Sequence, residues 1–389
     1  MDTLSLSAAF IATVLLLSRI WDAVLDPLVG QLSDRVRIHG GRRKGVLLIA
    51  MLPLAALFLA SLSPAAAHSS AVFVIITFSL LLAYSWCAVP YEAWGVDLCA
   101  EPHDRSRMTA WREGAGIIGM LCALAMPALL TTLGWSLQEA LRGTAILCAL
   151  AFVATTVAAL WFVPEVKSLS AAQQSWDILA PFRMAEFRRL NAAFILSGIG
   201  AAIPATVVLF YVEVYLGSSK GPLFLLAYFI AGVLALPMWV KLTKWSAKRT
   251  VWVAALAVNT LAFACIYLVE PGQELLYGAL VSLSGLGFGA TLAIPTSIQI
   301  DLIEEAARRS GIRSEGQYFG LWSFSRKASA ALGAFVSLQV LGLYGYSTAE
   351  GLTPAIATVI RDLYILAPCI FMLAAALVAL RLPVLEGSR

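Results

Sequence analysis

A chain of 389 residues with 60% hydrophobic and 13% charged side chains, a mean hydropathy of +0.84 and a formal net charge of +4 is not a soluble domain, where about 25% of residues are charged. The basic excess is small and confined to particular loops. It therefore excludes a nucleic-acid-binding face and reads as a topology signal in a polytopic, all-α membrane protein.

In chain order, apolar runs long enough for a helical span lie near 5–32, 45–63, 71–98, 108–132, 143–163, 189–216, 222–242, 251–269, 275–300, 317–343 and 363–382, eleven in all. No positive region precedes the first, which excludes a signal peptide. Lys and Arg collect in alternate loops: Arg35 to Lys44, Arg105 and Arg107, Lys167 to Arg189, Lys244 to Arg249, and Arg308 to Arg313. The positive-inside rule puts these loops in the cytoplasm, Met1 outside and Arg389 inside, in the plasma (inner) membrane. The longest basic connection, 164–188, separates five helices in 1–163 from six in 189–389. Two equal bundles would need one more N-terminal helix, so a first helix of a twelve-helix plan is expected to be missing from this chain.

A weak internal repeat supports two bundles: Pro90 to Leu98 in the third run and Pro295 to Leu302 in the ninth both go from proline to Asp-Leu. Parallel repeats of this kind place a binding site between bundles near mid-membrane. The stretch from Gly351 to Asp362 reads as a short outside helix or loop, with Arg361 and Asp362 at the water-facing edge of the last span. The six cysteines lie in or beside apolar runs without metal-ligand spacing and read as small core residues.

The first run carries the chemistry. Arg19, Asp22 and Asp26, spaced i, i+3, i+7, share one helix face. Each charge near a bilayer centre costs about 2.5–3.5 kcal/mol, so such a stripe is a functional site or a structural Arg–Asp pair. Two carboxylates on one face can hold a desolvated cation, with sodium at Asp22 and Asp26 one candidate, or share a proton. Next, Asp34 with Arg42 and Arg43 reads as a gate latch, weighed against a solvated topogenic loop. Glu92 is a third intramembrane acid, and Arg112 beside Glu113 lies a turn or so inside the following helix, in reach of Glu92 or an aspartate. Lys327 sits about 15 Å into its helix and reads as a counter-charge to Asp22 and Asp26. Trp21, Trp94, Trp111 and Trp322 are candidates for stacking on sugar rings, against packing or an interfacial belt.

The segment R-I-W-D-A-V-L-D-P-L-V-G with the following S-D and G-R-R-K, then P-Y-x-A, D-R-S-R-M, Arg112, and G-I-R-S-E-G-Q-Y-F-G with Lys327, closely resembles the glycoside–pentoside–hexuronide:cation symporters of the major facilitator superfamily. The resemblance covers essentially the whole chain. It implies twelve helices and uptake of a small sugar-like solute driven by a sodium or proton gradient. It also implies cation and sugar binding at Asp22 and Asp26, with polar-core roles for Arg112 and Lys327. Two features depart from the pattern. The family's first helix has no counterpart, and Ala88 and Glu92 stand where an acid and an aromatic flank the proline in well-known members. These departures weigh toward proton coupling, or a solute other than a galactoside.

The expected function is thus a cation-coupled secondary transporter in the lipid bilayer, working by alternating access, with Arg19, Asp22, Glu92, Trp94, Arg112 and Lys327 as substrate-binding candidates. Alternatives are transport of lipid-like or amphipathic solutes on the same fold, and a non-transporting membrane protein. No nucleophile–base pair, metal set or phosphate loop indicates an enzyme, and no cofactor is expected beyond the coupling ion.

Overall fold

The computed structural model describes residues 8–35, 42–61, 69–99, 101–164, 179–311, 314–344 and 354–383. Among them are eleven α-helices and no strand: α1 Ala8–Arg35, α2 Arg42–Ser61, α3 Ser70–Leu98, α4 Pro102–Thr132, α5 Leu137–Phe162, α6 Ala185–Phe210, α7 Gly221–Leu242, α8 Lys248–Ile266, α9 Glu274–Ser310, α10 Glu315–Leu343 and α11 Pro354–Ala379. A 3₁₀ turn (Ala180–Arg183) precedes α6 and a π turn (Tyr211–Tyr215) follows it. Nine of these helices are long and apolar enough to cross a membrane; α1 and α10 are not in that set, and both carry charges mid-helix. Eight helices hold an internal proline: Pro27, Pro53, Pro90, Pro127, Pro204, Pro237, Pro295 and Pro368. In water each would cost about 3 kcal/mol, whereas packed membrane helices re-satisfy the freed carbonyls from their neighbours.

Several boundaries differ from the sequence reading, two of them around named charged residues. α4 begins at Pro102, because proline at the first turn and Asp104 beside it suit a helix start. Arg112 therefore lies ten residues in, about 15 Å, rather than one turn. The stretch before Asp362 is no separate element: α11 opens at Pro354 and runs through Arg361 and Asp362 without a break. The Arg361 guanidinium lies 4.5 Å from the ring centroid of Tyr267 and donates to its hydroxyl at 3.0 Å. The cysteines are not uniformly internal either: Cys87 is buried, Cys122 and Cys265 exposed.

The helices form two compact units, Met1–Cys99 with Gly119–Leu179 and Glu305–Phe324, and Ala100–Ile118 with Ala180–Glu304 and Ser325–Arg389. In the first, α2 packs on α3 and α5, and α1 on α3. Its apolar centre joins Leu47, Ala50, Cys87 and Trp94, flanked by Trp86, Phe152 and Leu160. In the second, α11 packs on α6 and α8. There Tyr211 stacks on Tyr364 with centroids 4.3 Å apart, and the Tyr277 and Tyr364 hydroxyls meet at 2.9 Å. On α9, Gly285 and Gly289 face the carbonyls of Tyr228 and Gly232, so that α9 and α7 touch along their backbones.

Candidate functional site

Helix α1 is built inside out. Leu17, Trp21, Val24 and Leu28 are exposed, while Ser18, Asp22, Asp26, Gln31 and Ser33 are buried. Asp22 is 5% and Asp26 1% exposed. An apolar outside with acids inside is the arrangement a bilayer enforces. On α3 the buried Ser85 donates its hydroxyl to Asp26 Oδ1 at 2.6 Å. Two turns along the same helix, Glu92 is also buried. Hence four oxygen-bearing side chains, Asp22, Asp26, Ser85 and Glu92, occupy the packed α1–α3 pair. They are hard donors, suited to an alkali cation or a proton. Among the described residues no three acidic, His or Cys side chains gather closely enough to hold a metal ion, so Glu92 does not complete a three-carboxylate cluster with the pair.

Close helix approach fixes the register of Asp26. A Cβ at Gly30 would collide with the carbonyl of Gly316 on α10. A Cβ at Gly320 would lie 2.5 Å from the Asp26 carbonyl oxygen and 2.8 Å from Pro27 Cα. Gly316 and Gly320, four apart, thus present a bare strip of α10 to the Asp26–Gly30 turn of α1. The Gly316–Gly320 strip lies some 290 positions from the turn it meets and left no local signal in the sequence.

At the end of the first unit that carries the basic loops, Arg43 is 1% exposed and pairs with Glu315 at 3.4 Å. Its guanidinium also donates to the Ser33 hydroxyl at 3.4 Å. The side chains of Arg19, Asp34 and Arg42 lie outside the described residues. A second buried ionic cluster belongs to the other unit. Asp301, at the end of the Pro295 repeat, accepts from Lys248 at 2.6 Å and from Arg105 at 3.0 Å, with Glu304 at 3.9 Å from Arg105. Beside it the Ser106 and Ser297 hydroxyls meet at 2.9 Å. Counted by sequence only as topogenic loop charges, Arg105 and Lys248 are in fact buried, at 6% and 2% exposure. Buried cations need a carboxylate, and each has found one far away in sequence.

Arg112, in the second unit, pairs with Glu113 at 2.8 Å, and Lys327 is half-buried on α10, about 18 Å from the helix start. The tryptophans divide by burial. Trp94 is packed in the first unit's apolar centre, with its indole N–H donating to the Pro164 carbonyl at 3.2 Å and Lys44 Nζ 5.7 Å from its ring centroid. Trp322 is buried, while Trp21 and Trp111 face outward.

A family model described as MFS/sugar transport protein matches residues 1–386. The chain is 25% identical to the "Glucuronide carrier protein homolog" of Escherichia coli (strain K12), over 96% of this chain and 84% of that one. It is equally identical to the "Putative glycoside/cation symporter YagG" of the same organism, over 95% and 82%. The "Putative sulfoquinovose importer" of Salmonella typhimurium (strain LT2) is 24% identical, over 97% and 82%. Among solved structures, a bacterial homologue of the iron transporter ferroportin in an outward-facing state superposes with TM-score 0.69 at 13% identity, covering 96% of this chain and 90% of that one. The proton:xylose symporter XylE superposes with TM-score 0.63 at 14% identity, covering 97% and 88%. At such identities the structures establish the fold, that of the major facilitator transporters.

Proposed function

The chain belongs to the MFS/sugar transport protein family, and from that premise we propose that Asp22 and Asp26 bind the coupling cation of a sugar or glycoside symporter. Its class is that of a multi-pass, cation-coupled secondary transporter acting on a small-molecule solute. The finer reading rests on one observation: two carboxylates are buried on the inward face of α1, with Ser85 donating to Asp26. Two buried negative charges are costly, and a bound sodium ion or proton offsets that cost. Ser85 Oγ would add a neutral oxygen to a sodium shell. Cation binding then raises solute affinity, and by linkage the solute raises cation affinity by the same factor. In this reading the basic end faces the cytoplasmic side of the plasma membrane, and the Arg43–Glu315 pair and the Asp301 cluster each tie helices together within their own unit at that end. Arg112 and Lys327 supply positive charge to the solute path, and Trp94 serves packing.

A second observation bears on the solute. In the second unit a cavity of about 330 Å³ is walled by Phe194, Tyr228, Phe229, Phe288 and Tyr364, with Arg326 in its lining. Such a wall suits an apolar or aromatic group carrying an acid and favours glycosides with a bulky aglycone, or amphipathic solutes, over bare sugars.

The test is uptake of a glycoside panel into vesicles at varied pH and sodium. Asp26→Asn is expected to abolish gradient-driven accumulation, and unchanged accumulation would remove Asp26 from the coupling role. Lys327→Ala is expected to lower coupled uptake at least tenfold while Leu332→Ala, an exposed position on the same helix, leaves it near the parent. Equal effects from the two changes would overturn the role given to Lys327.

A further inference from the structure

The second unit has a crevice of about 710 Å³ between α4 and α7 whose make-up is split lengthwise. At the end bearing the basic loops its lining carries His103, Arg107, Lys241 and Lys244, and no acid. Trp111 and Trp245 stand at its mouth, 76% and 69% exposed, with Lys241 Nζ 5.6 Å from the Trp245 ring centroid. Arg107 has an exposed i,i+3 partner in Asp104 at 3.3 Å, which offsets little of its charge in solvent. Away from this end the walls are apolar: Ala115 and Ile118 on α4, Leu234 and Pro237 on α7.

The pattern follows from the two helices. His103, Arg107, Trp111, Gly114 and Ile118 form one face of α4, which starts at the basic end. Val233, Pro237 and Lys241 form one face of α7, which finishes there, and Lys244 follows in the turn just beyond its end. Small residues on α4 keep the groove open, since Ala110 and Gly114 leave α7 resting on Leu236 and Val240. From Arg107 to Ile118 the groove runs about 16 Å, close to half the ~30 Å hydrocarbon core of a bilayer. Leu234 at 73% exposure shows that the groove's apolar wall faces outward rather than into the helix packing.

We propose that this crevice binds one anionic phospholipid of the leaflet on the basic side. The phosphodiester sits among Arg107, Lys241, Lys244 and His103, with Trp245 beside Lys241, the glycerol lies one turn further in at Trp111, and an acyl chain follows the apolar groove toward Ile118. Basic pockets between membrane helices select anionic headgroups by charge, and tryptophan favours the headgroup level. The site is separate from Asp22 and Asp26, so it stands whether or not those residues carry the coupling ion.

Native mass spectrometry of the full chain, delipidated in detergent and titrated with defined lipids, tests this. Palmitoyl-oleoyl phosphatidylglycerol is expected to bind about tenfold or more tightly than the matching phosphatidylcholine. Arg107→Gln/Lys241→Gln/Lys244→Gln should erase that preference, and Arg308→Gln/Arg309→Gln, exposed basic residues elsewhere, should keep it. Ala115→Phe, which fills the groove without changing charge, should weaken phosphatidylglycerol severalfold. An unchanged preference in the triple variant, or equal binding of the two lipids by the parent, would overturn the proposal. Displacement of the lipid by glycerol 3-phosphate at similar concentration would also overturn it, since the groove would then contribute nothing.

Discussion

Replacing Gly320 by alanine places a methyl group where α10 meets α1. The added carbon would stand 2.5 Å from the Asp26 carbonyl oxygen and 2.8 Å from Pro27 Cα. Both obstacles are backbone, so no side chain can swing aside. Ordinary contact begins near 3.4 Å, so the helices must separate by about 1 Å locally. Overpacking of this kind costs about 1–3 kcal/mol, a factor of about 5–150 in any equilibrium that includes the crossing. Asp26 moves with its own backbone, so the 2.6 Å bond from Ser85 is strained together with the packing. Alanine also gains about 0.5–1 kcal/mol of helix propensity over glycine. Gly119→Ala supplies the control for that gain, since a Cβ there meets nothing within 4 Å. The assay pairs thermal unfolding of purified protein with the cation concentration that half-saturates glycoside uptake. Gly320→Ala should unfold at lower temperature than Gly119→Ala and need at least about fivefold more cation. Indistinguishable behaviour of the two variants in both measurements would refute the idea that this crossing sets the position of Asp26.

Two further outcomes follow from the buried polar contacts. Asp301→Asn removes the carboxylate that buried Lys248 and Arg105 share and should destabilise by about 3–5 kcal/mol, whereas Glu305→Gln, which removes solvent-exposed pairs to Arg308 and Arg309, should cost under about 1 kcal/mol. Adding Lys248→Met to Asp301→Asn should recover part of the loss in a denaturation series, and a purely additive double variant would count against the cluster. Ser85→Ala removes a hydrogen bond to a charged group, worth about 1.5–3 kcal/mol. With sodium as the coupling ion, half-saturation should rise about tenfold or more, and an unchanged sodium dependence would remove the hydroxyl from the ion's shell.

The spans were legible because a bilayer imposes one thickness on every helix and penalises every charge within it. Eleven apolar runs correspond to eleven helices among the described residues, and the acids of the first run are buried on one face of α1. Pairing was not legible. Asp26 and Ser85 are 59 positions apart and Arg43 and Glu315 are 272 apart, so no period or spacing links them. Asp301 was marked by the proline repeat, but the cations that neutralise it had looked like ordinary loop charges. Trp94 shows the same limit from the other side: an indole near an acid suits a sugar face, yet packing against α2 and α5 decides its surroundings.

Sequence alone therefore determined which segments form long apolar helices, which charged side chains are costly to place in them, and the family. Only the tertiary structure decided which partner offsets each buried charge and where two backbones touch. The bilayer acts on each residue separately and so writes its demand into local composition. Charge compensation and close packing act between residues that the chain brings together only after it has folded.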